Sequence, residues 1–179
     1  MYRGSGTDHP LSNLGWQQMQ QSIDAACTGS SNWSQIITSP MTRCLTFAEQ
    51  LSQQLNIPLE VINELVEAGY GEWEGKTPAQ LKQEYGEAYW AFYDDPVNNR
   101  PTGAEPLEVL NERVSTTLIE LLARYKGQNV LLISHAGVMR AVIGNVLQMP
   151  LASQQLINIP YAGMYSVLDE RRGTRICLP

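Results

Sequence analysis

At 179 residues and about 20.0 kDa the chain is long enough for one domain with a substantial core and short for two. A hydrophobic content of 43% with 17% charged residues excludes a disordered chain, and no apolar run is long enough to span a bilayer. Eighteen acidic residues against 12 basic ones give a formal charge of −6, the wrong sign for a non-specific nucleic-acid binder; an anion site must therefore be built from a few placed residues.

In chain order, Ser12 is suited to cap a helix bearing Leu14, Trp16, Met19, Ile23 and Cys27 on one face, ended by Gly29, Ser30, Ser31 and Asn32. Residues 35–38 predict a short strand. Ser39-Pro40 then opens a second helix, with Pro40 in its first position and an apolar stripe of Met41, Leu45, Ala48, Leu51 and Leu55. A strand over 59–62 leads into a Gly-rich stretch, 68–75. Thr77-Pro78 starts a short helix, and 85–93 predicts another. Residues 94–101 read as a loop inside the domain. A long helix begins near Pro106, with Leu107, Leu110, Val114, Leu118, Leu121 and Tyr125 on one face. Residues 129–134 form an unbroken apolar strand of the kind buried on both sides of a parallel sheet. His135-Ala136-Gly137 turns into a helix over 138–147. Beyond Pro150 the chain reads as β-rich, with strands over 156–159, 164–168 and 175–178. The alternation predicts a three-layer α/β/α sandwich around a mostly parallel sheet, although no strand precedes the first helix.

Ligands of open α/β sheets bind at the carboxyl ends of strands, so the two strand-to-helix turns carry the main candidates. Arg43 falls in the first turn of its helix, where the dipole disfavours a cation unless an anion lies between them; a solvated or surface-paired arginine is the plainer alternative. His135 ends the buried strand where unsatisfied N–H groups of the next helix point; a core histidine bonded to backbone accounts for it equally well. Glu67 flanks the Gly-rich loop and would serve as a proton donor if burial raised its pKa, against the alternative of a solvated loop acid. Glu105 is explained as a helix-start acid and stands second in line for the same role. His9 reads as a surface residue. The aromatic residues between 70 and 93 read mostly as core or lid packing. Cys27, Cys44 and Cys177 form no CxxC pair or metal-ligand spacing; Cys27 and Cys44 read as small core residues. The sparse, odd count points to a reducing compartment, hence a cytoplasmic location, and nothing calls for a metal or cofactor.

Taken together these segments resemble the histidine phosphatase superfamily, the phosphoglycerate-mutase-like fold. Residues 6–16 are similar to its run into the first helix. Thr38-Ser39-Pro40-Met41-Thr42-Arg43 is similar to its Ser-Pro-x-x-Arg element, and Glu67-Ala68-Gly69-Tyr70-Gly71-Glu72-Trp73-Glu74-Gly75 to its acid loop. Gly103-Ala104-Glu105 resembles its Gly-Gly-Glu, and Ser134-His135-Ala136-Gly137-Val138-Met139-Arg140 its second-histidine turn. The length and the acid loop look most like small-molecule phosphatases of the alpha-ribazole phosphatase (cobalamin pathway) type. The resemblance implies one domain over residues 1–179 that hydrolyses a phosphomonoester of a small metabolite through a phosphohistidine, with no cofactor. The implied partner is that metabolite, not nucleic acid or a membrane, and α-ribazole 5′-phosphate is the substrate the look suggests. Arg43, His135 and the backbone N–H of Ala136 would bind phosphate, His135 would assist catalysis, and Glu67 would protonate the leaving oxygen.

The family's nucleophile lies in an Arg-His-Gly motif that occurs nowhere in this sequence. The expectation is a chain that starts inside the domain, lacks the first strand and is inactive as written. That predicts a gap in the sheet beside residues 36–38 and 130–134. Two rival readings stand beside the hydrolase: a non-catalytic pseudo-phosphatase that binds a phosphorylated ligand or protein, and a phosphoglycerate mutase.

Overall fold

The structure, a computed structural model, describes residues 1–27, 32–171 and 173–177. The expected helix end at 29–31 and the final residue of the last strand lie outside the described residues, as does the side chain of Cys27.

Three parallel strands make the main sheet: β1 (Gln35–Thr38), β2 (Leu59–Val61) and β3 (Val130–Ile133), in the order β2-β1-β3. Ile36 sits opposite both Leu59 and Leu131. Successive residues point to opposite faces, so an unbroken apolar strand needs helices on both. Ile36, Leu131 and Ile133 pack with α1 (Asn13–Cys27) and α2 (Thr42–Leu55) through Ile23, Phe47, Ala48 and Leu51. Ile37, Val130 and Leu132 face α5 (Leu107–Arg124) and α6 (Ala136–Val146) through Leu110, Val114, Val138 and Val142. Ile36, Ile37, Val114 and Val138 are wholly shielded from solvent. Each such side chain contributes roughly 1.5–3 kcal/mol relative to exposure. The result is the α/β/α sandwich that the alternation predicts.

Local side-chain caps set the heads of α1 and α3. Ser12 Oγ accepts from Gly15 N at 3.1 Å at the head of α1. Thr77 and Gln80 close a capping box on α3 (Pro78–Tyr85), with Pro78 at the first helical position. After Gly86, α4 (Glu87–Asp94) carries Tyr89 and Phe92 into an aromatic cluster with Trp73 and Leu81. A short α7 (Leu151–Gln154) follows α6, and β4 (Ser166–Glu170) with β5 (Gly173–Cys177) form a separate antiparallel hairpin.

Four expectations need correction. β1 is paired on both edges, so no gap flanks residues 36–38; among the described residues the open edges are those of β2 and β3. Pro40 precedes α2 rather than starting it: Met41 is the N-cap, because Asp8 Oδ1 accepts from Thr42 N at 2.8 Å and so places the helix start. The helix after His135 begins at Ala136, two residues earlier than expected. Residues 156–159 are not a strand. Leu156 N and Ile157 N turn back onto Ser153 O and Gln154 O, and Arg140 Nε holds Ile157 O at 2.9 Å, so the ladder groups are already used.

Candidate active site

All three strands of the parallel sheet end at one edge, and each delivers one of the main candidates there. Thr38 is in register with Ile133, and Ser39 N donates to Ile133 O at 3.1 Å, so the chain leaves β1 and β3 side by side. Arg43 follows on the first turn of α2, and His135 is the N-cap of α6. Arg43 Nε donates to His135 Nδ1 at 3.2 Å. β2 ends at the same edge through Ile62 N to Thr38 O, 2.9 Å. A 3₁₀ turn, Asn63–Leu65, then carries the chain to Glu67. Ser134 Oγ donates to Leu65 O at 3.1 Å and ties that turn to the end of β3.

The Glu67 carboxylate seats on the N-terminus of α6. Oε1 accepts from Gly137 N at 3.0 Å and from Ala68 N at 2.9 Å. It therefore fills part of the anion-favouring position that the helix end offers. Burial raises the Glu67 pKa above the ordinary carboxylate value, against the pull of these two N–H groups and of Arg43 and Arg140. A Cβ at Gly137 would overlap the carboxylate, so this close seat requires glycine. The first helical N–H, at Ala136, is one of those an α-helix leaves without an intrahelical partner.

His135 is 6% exposed, and burial together with Arg43 and Arg113 lowers its pKa to about 3, so the ring is neutral. Because Nδ1 accepts from Arg43, Nε2 carries the proton and donates to Ser39 Oγ at 2.7 Å. This Ser–His contact is not a catalytic dyad. A base must accept the serine proton at Nε2, which here already carries one, the guanidinium at Nδ1 disfavours a second, and Ser39 has no solvent exposure. Cys44 Sγ lies 3.7 Å from both ring nitrogens of His135, and burial pushes its thiol up to about 12, which rules out a resting thiolate. Arg43 is 8% exposed; Nη1 donates to Thr7 O at 3.2 Å and Nη2 to Gly4 O at 3.0 Å. Three of its donors are thus held by His135 and the N-terminal segment.

That segment is itself fastened across the strand ends. The Glu74 carboxylate accepts from Ser5 N (3.1 Å), Gly6 N (2.7 Å) and Tyr70 N (2.9 Å), and Asp8 takes both Thr42 N and Thr42 Oγ1. Arg3, close enough to lower the Arg43 pKa, adds a second guanidinium beside the site. Sequence reasoning missed Arg3, Asp8, Ser39 and Glu74. The available signal was the resemblance, whose segments contain Asp8, Ser39 and Glu74; the contacts that tie Arg3, Asp8 and Ser39 to the site span more than 30 residues. Glu105 does not reach this site as an acid: Arg113 holds both its oxygens, at 2.7 and 2.8 Å. His9 is exposed, as expected. Among the described residues no group of His, Cys, Asp and Glu could hold a metal.

The family described as histidine phosphatase superfamily (branch 1) matches residues 2–178. The chain belongs to that superfamily. It is 28% identical over 160 residues, 89% of this chain and 77% of the relative, to an adenosylcobalamin/alpha-ribazole phosphatase of Escherichia coli K12. The crystal structure of the alpha-ribazole phosphatase from Shigella flexneri superposes with a TM-score of 0.82 at 25% identity, covering 100% of this chain and 88% of that one. A mycobacterial glucosyl-3-phosphoglycerate phosphatase, in complex with VO3, shares the fold with a TM-score of 0.83 at 22% identity, covering 98% and 88%. These likenesses establish the phosphoglycerate-mutase-like α/β fold and a phosphatase family. Among the described residues no helix is long and apolar enough to cross a membrane.

Proposed function

We propose that the site is a phosphomonoester site for a small phosphorylated metabolite, in which Arg43, His135 and the Ala136 N–H hold the phosphoryl group and Glu67 protonates the leaving oxygen. The observation that carries this reading is the convergence of Arg43, His135 and Glu67 on one sheet edge, with burial raising the Glu67 pKa. Phosphoryl transfer asks mainly for positioning and charge stabilisation, and fixed cations supply both without a metal. The names of the relatives support α-ribazole 5′-phosphate as the substrate to try first. A cytoplasmic setting fits the free thiols of Cys44 and Cys177.

Turnover needs a nucleophile, and the 179 residues hold no Arg-His-Gly. His135 is neutral and bonded at both nitrogens, Ser39 has no base and Cys44 has no thiolate. These three residues therefore bind rather than attack, and hydrolysis at this site calls for a histidine nucleophile of the family's Arg-His-Gly kind. Binding without turnover is the second reading, favoured by the backbone carbonyls that already occupy Arg43.

Titration with inorganic phosphate or vanadate, followed by the amide resonances of Gly137 and the ring of His135, tests the binding. Saturable shifts lost in Arg43→Ala are expected, and their absence would overturn the reading. Phosphate release from α-ribazole 5′-phosphate is then measured with and without a peptide strand ending in Arg-His-Gly. Release only with the peptide supports the hydrolase, and none in either case leaves the binding protein.

A further inference from the structure

Outside the reacting groups, one cluster of charged side chains grips the backbone on both sides of Glu67. Arg113, on α5, forms a two-pronged ion pair with Glu105: Nε to Oε1 at 2.7 Å and Nη2 to Oε2 at 2.8 Å, both side chains less than one-fifth exposed. The rest of the same guanidinium faces the acid loop. Nη1 donates to Glu64 O, and Nη2 reaches Glu67 O at 3.5 Å. Glu105 also touches the loop by backbone: its N donates to Gly69 O at 3.0 Å, and Gly69 N reaches Oε2 at 3.4 Å. Arg100 completes the ring, with Nη2 to Gly69 O at 2.8 Å and Nε to Glu105 O at 3.0 Å, its guanidinium lying over Tyr70 and Phe92. The carbonyls of residues 64, 67 and 69 are thus held by charged donors on one rigid helix and the loop that precedes it.

We infer that Glu105 and Arg113 are a positioning pair for Glu67: the carboxylate of Glu105 orients the guanidinium of Arg113, and that guanidinium fixes the loop that seats Glu67 on Gly137. The inference rests on Glu67 being the acid of the proposed site and gives Glu105 a role different from proton donation. A two-pronged ion pair locks a long side chain in one rotamer, so the donors left over meet the loop carbonyls without further ordering. A lysine offers one point charge and cannot do both.

The Glu67 carboxyl reports its own seat. The charged and titratable groups acting on it are Arg43 of α2, Arg140 of α6, and through their own shifts Cys44 of α2 and Tyr70 of its own loop. Neither Arg113 nor Glu105 is among the leading causes of its shift, and burial is the first of them. A change in Glu67 titration on altering the pair therefore reports movement of the loop into water rather than loss of a nearby charge.

The experiment is a carbon-13 carboxyl titration of the full chain without phosphate, with the Glu67 signal assigned by Glu67→Gln. Wild type is compared with Glu105→Gln, Arg113→Lys and the swapped double variant Glu105→Arg/Arg113→Glu. The Glu67 midpoint is expected to fall toward the ordinary glutamate range in both single variants. It stays low in the double variant even where the melting temperature recovers, because a glutamate at 113 restores the ion pair but donates nothing to the carbonyls. An unchanged midpoint in folded Arg113→Lys and Glu105→Gln overturns the inference, as does a midpoint that returns with stability in the swap. If a single variant fails to fold, the other and the swap decide. Because no phosphate is present, a negative result here is distinct from failure of phosphate to bind the wild-type site.

Discussion

Acidification should destabilise this protein through His135. The ordinary histidine pKa is 6.5, and in the folded chain burial and two arginines lower it to about 3. A base whose folded pKa is depressed contributes fully above its unfolded value and loses that contribution as pH falls. The window therefore runs from 6.5 down to about 3. There the unfolded chain binds one more proton than the folded one, so stability falls by about 1.4 kcal/mol per pH unit, or about 3 kcal/mol between pH 6.5 and pH 4. Glu67 acts in the opposite sense. Its raised pKa gives stability that is present below the ordinary carboxylate value and lost as pH rises through the folded one, so acidification partly offsets the His135 loss. Subtracting a variant isolates the histidine. His135→Gln keeps an acceptor for Arg43 Nε and a donor for Ser39 Oγ but does not titrate. Urea unfolding of both proteins at pH 7.5, 6.5, 5.5, 4.5 and 4 gives the difference in stability at each pH. That difference should stay flat above 6.5 and shift against the wild type by about 3 kcal/mol at pH 4. Parallel curves would show that His135 already titrates near its ordinary value, and the buried neutral imidazole would be wrong.

Gly137→Ala should push the Glu67 carboxylate off the α6 terminus and cost about 1–3 kcal/mol in denaturant unfolding; a loss under about 0.5 kcal/mol would mean that the carboxylate does not sit there. Thr77→Ala removes the capping box of α3 and should cost about 1 kcal/mol, read from the same unfolding curves, with no effect on phosphate binding. Asp8→Ala strips the first turn of α2 of a long-range cap. A loss of about 1 kcal/mol and faster amide exchange at Thr42 are expected, and unchanged exchange would refute the cap. Glu74→Gln weakens the hold on the N-terminal segment, and the amides of Ser5 and Gly6 should exchange faster than in the wild type while the core of β1 stays protected.

Much of the architecture could be read from residue order because burial leaves a periodic trace in each element by itself. Residues 130–133 carry no polar break because helices cover both faces of β3, and Leu107, Leu110, Val114 and Leu121 recur at helical spacing because one side of α5 meets the sheet. The turns bearing Arg43 and His135 were likewise legible, since a helix that starts directly after a buried strand puts its first turn at the sheet edge. What those residues touch was not. The order β2-β1-β3 brings Thr38 beside Ile133 across more than 90 residues, and only that register sets Arg43 against the ring of His135 and lowers its pKa. Glu105 looked locally like a helix-start acid and a spare proton donor. Tertiary structure gives both its oxygens to Arg113, because α5 packs next to the turn that precedes Glu67. Asp8, 34 residues before Thr42, caps α2 in place of the expected start at Pro40. Residues 156–159 have a strand-like apolar pattern but lie as a loop on α6, Leu156 being 82% exposed, because Arg140 has taken a carbonyl that a ladder would need. Periodicity records which side of an element is buried; which charged group meets which depends on how the chain closes over tens of residues, and no local pattern encodes that closure.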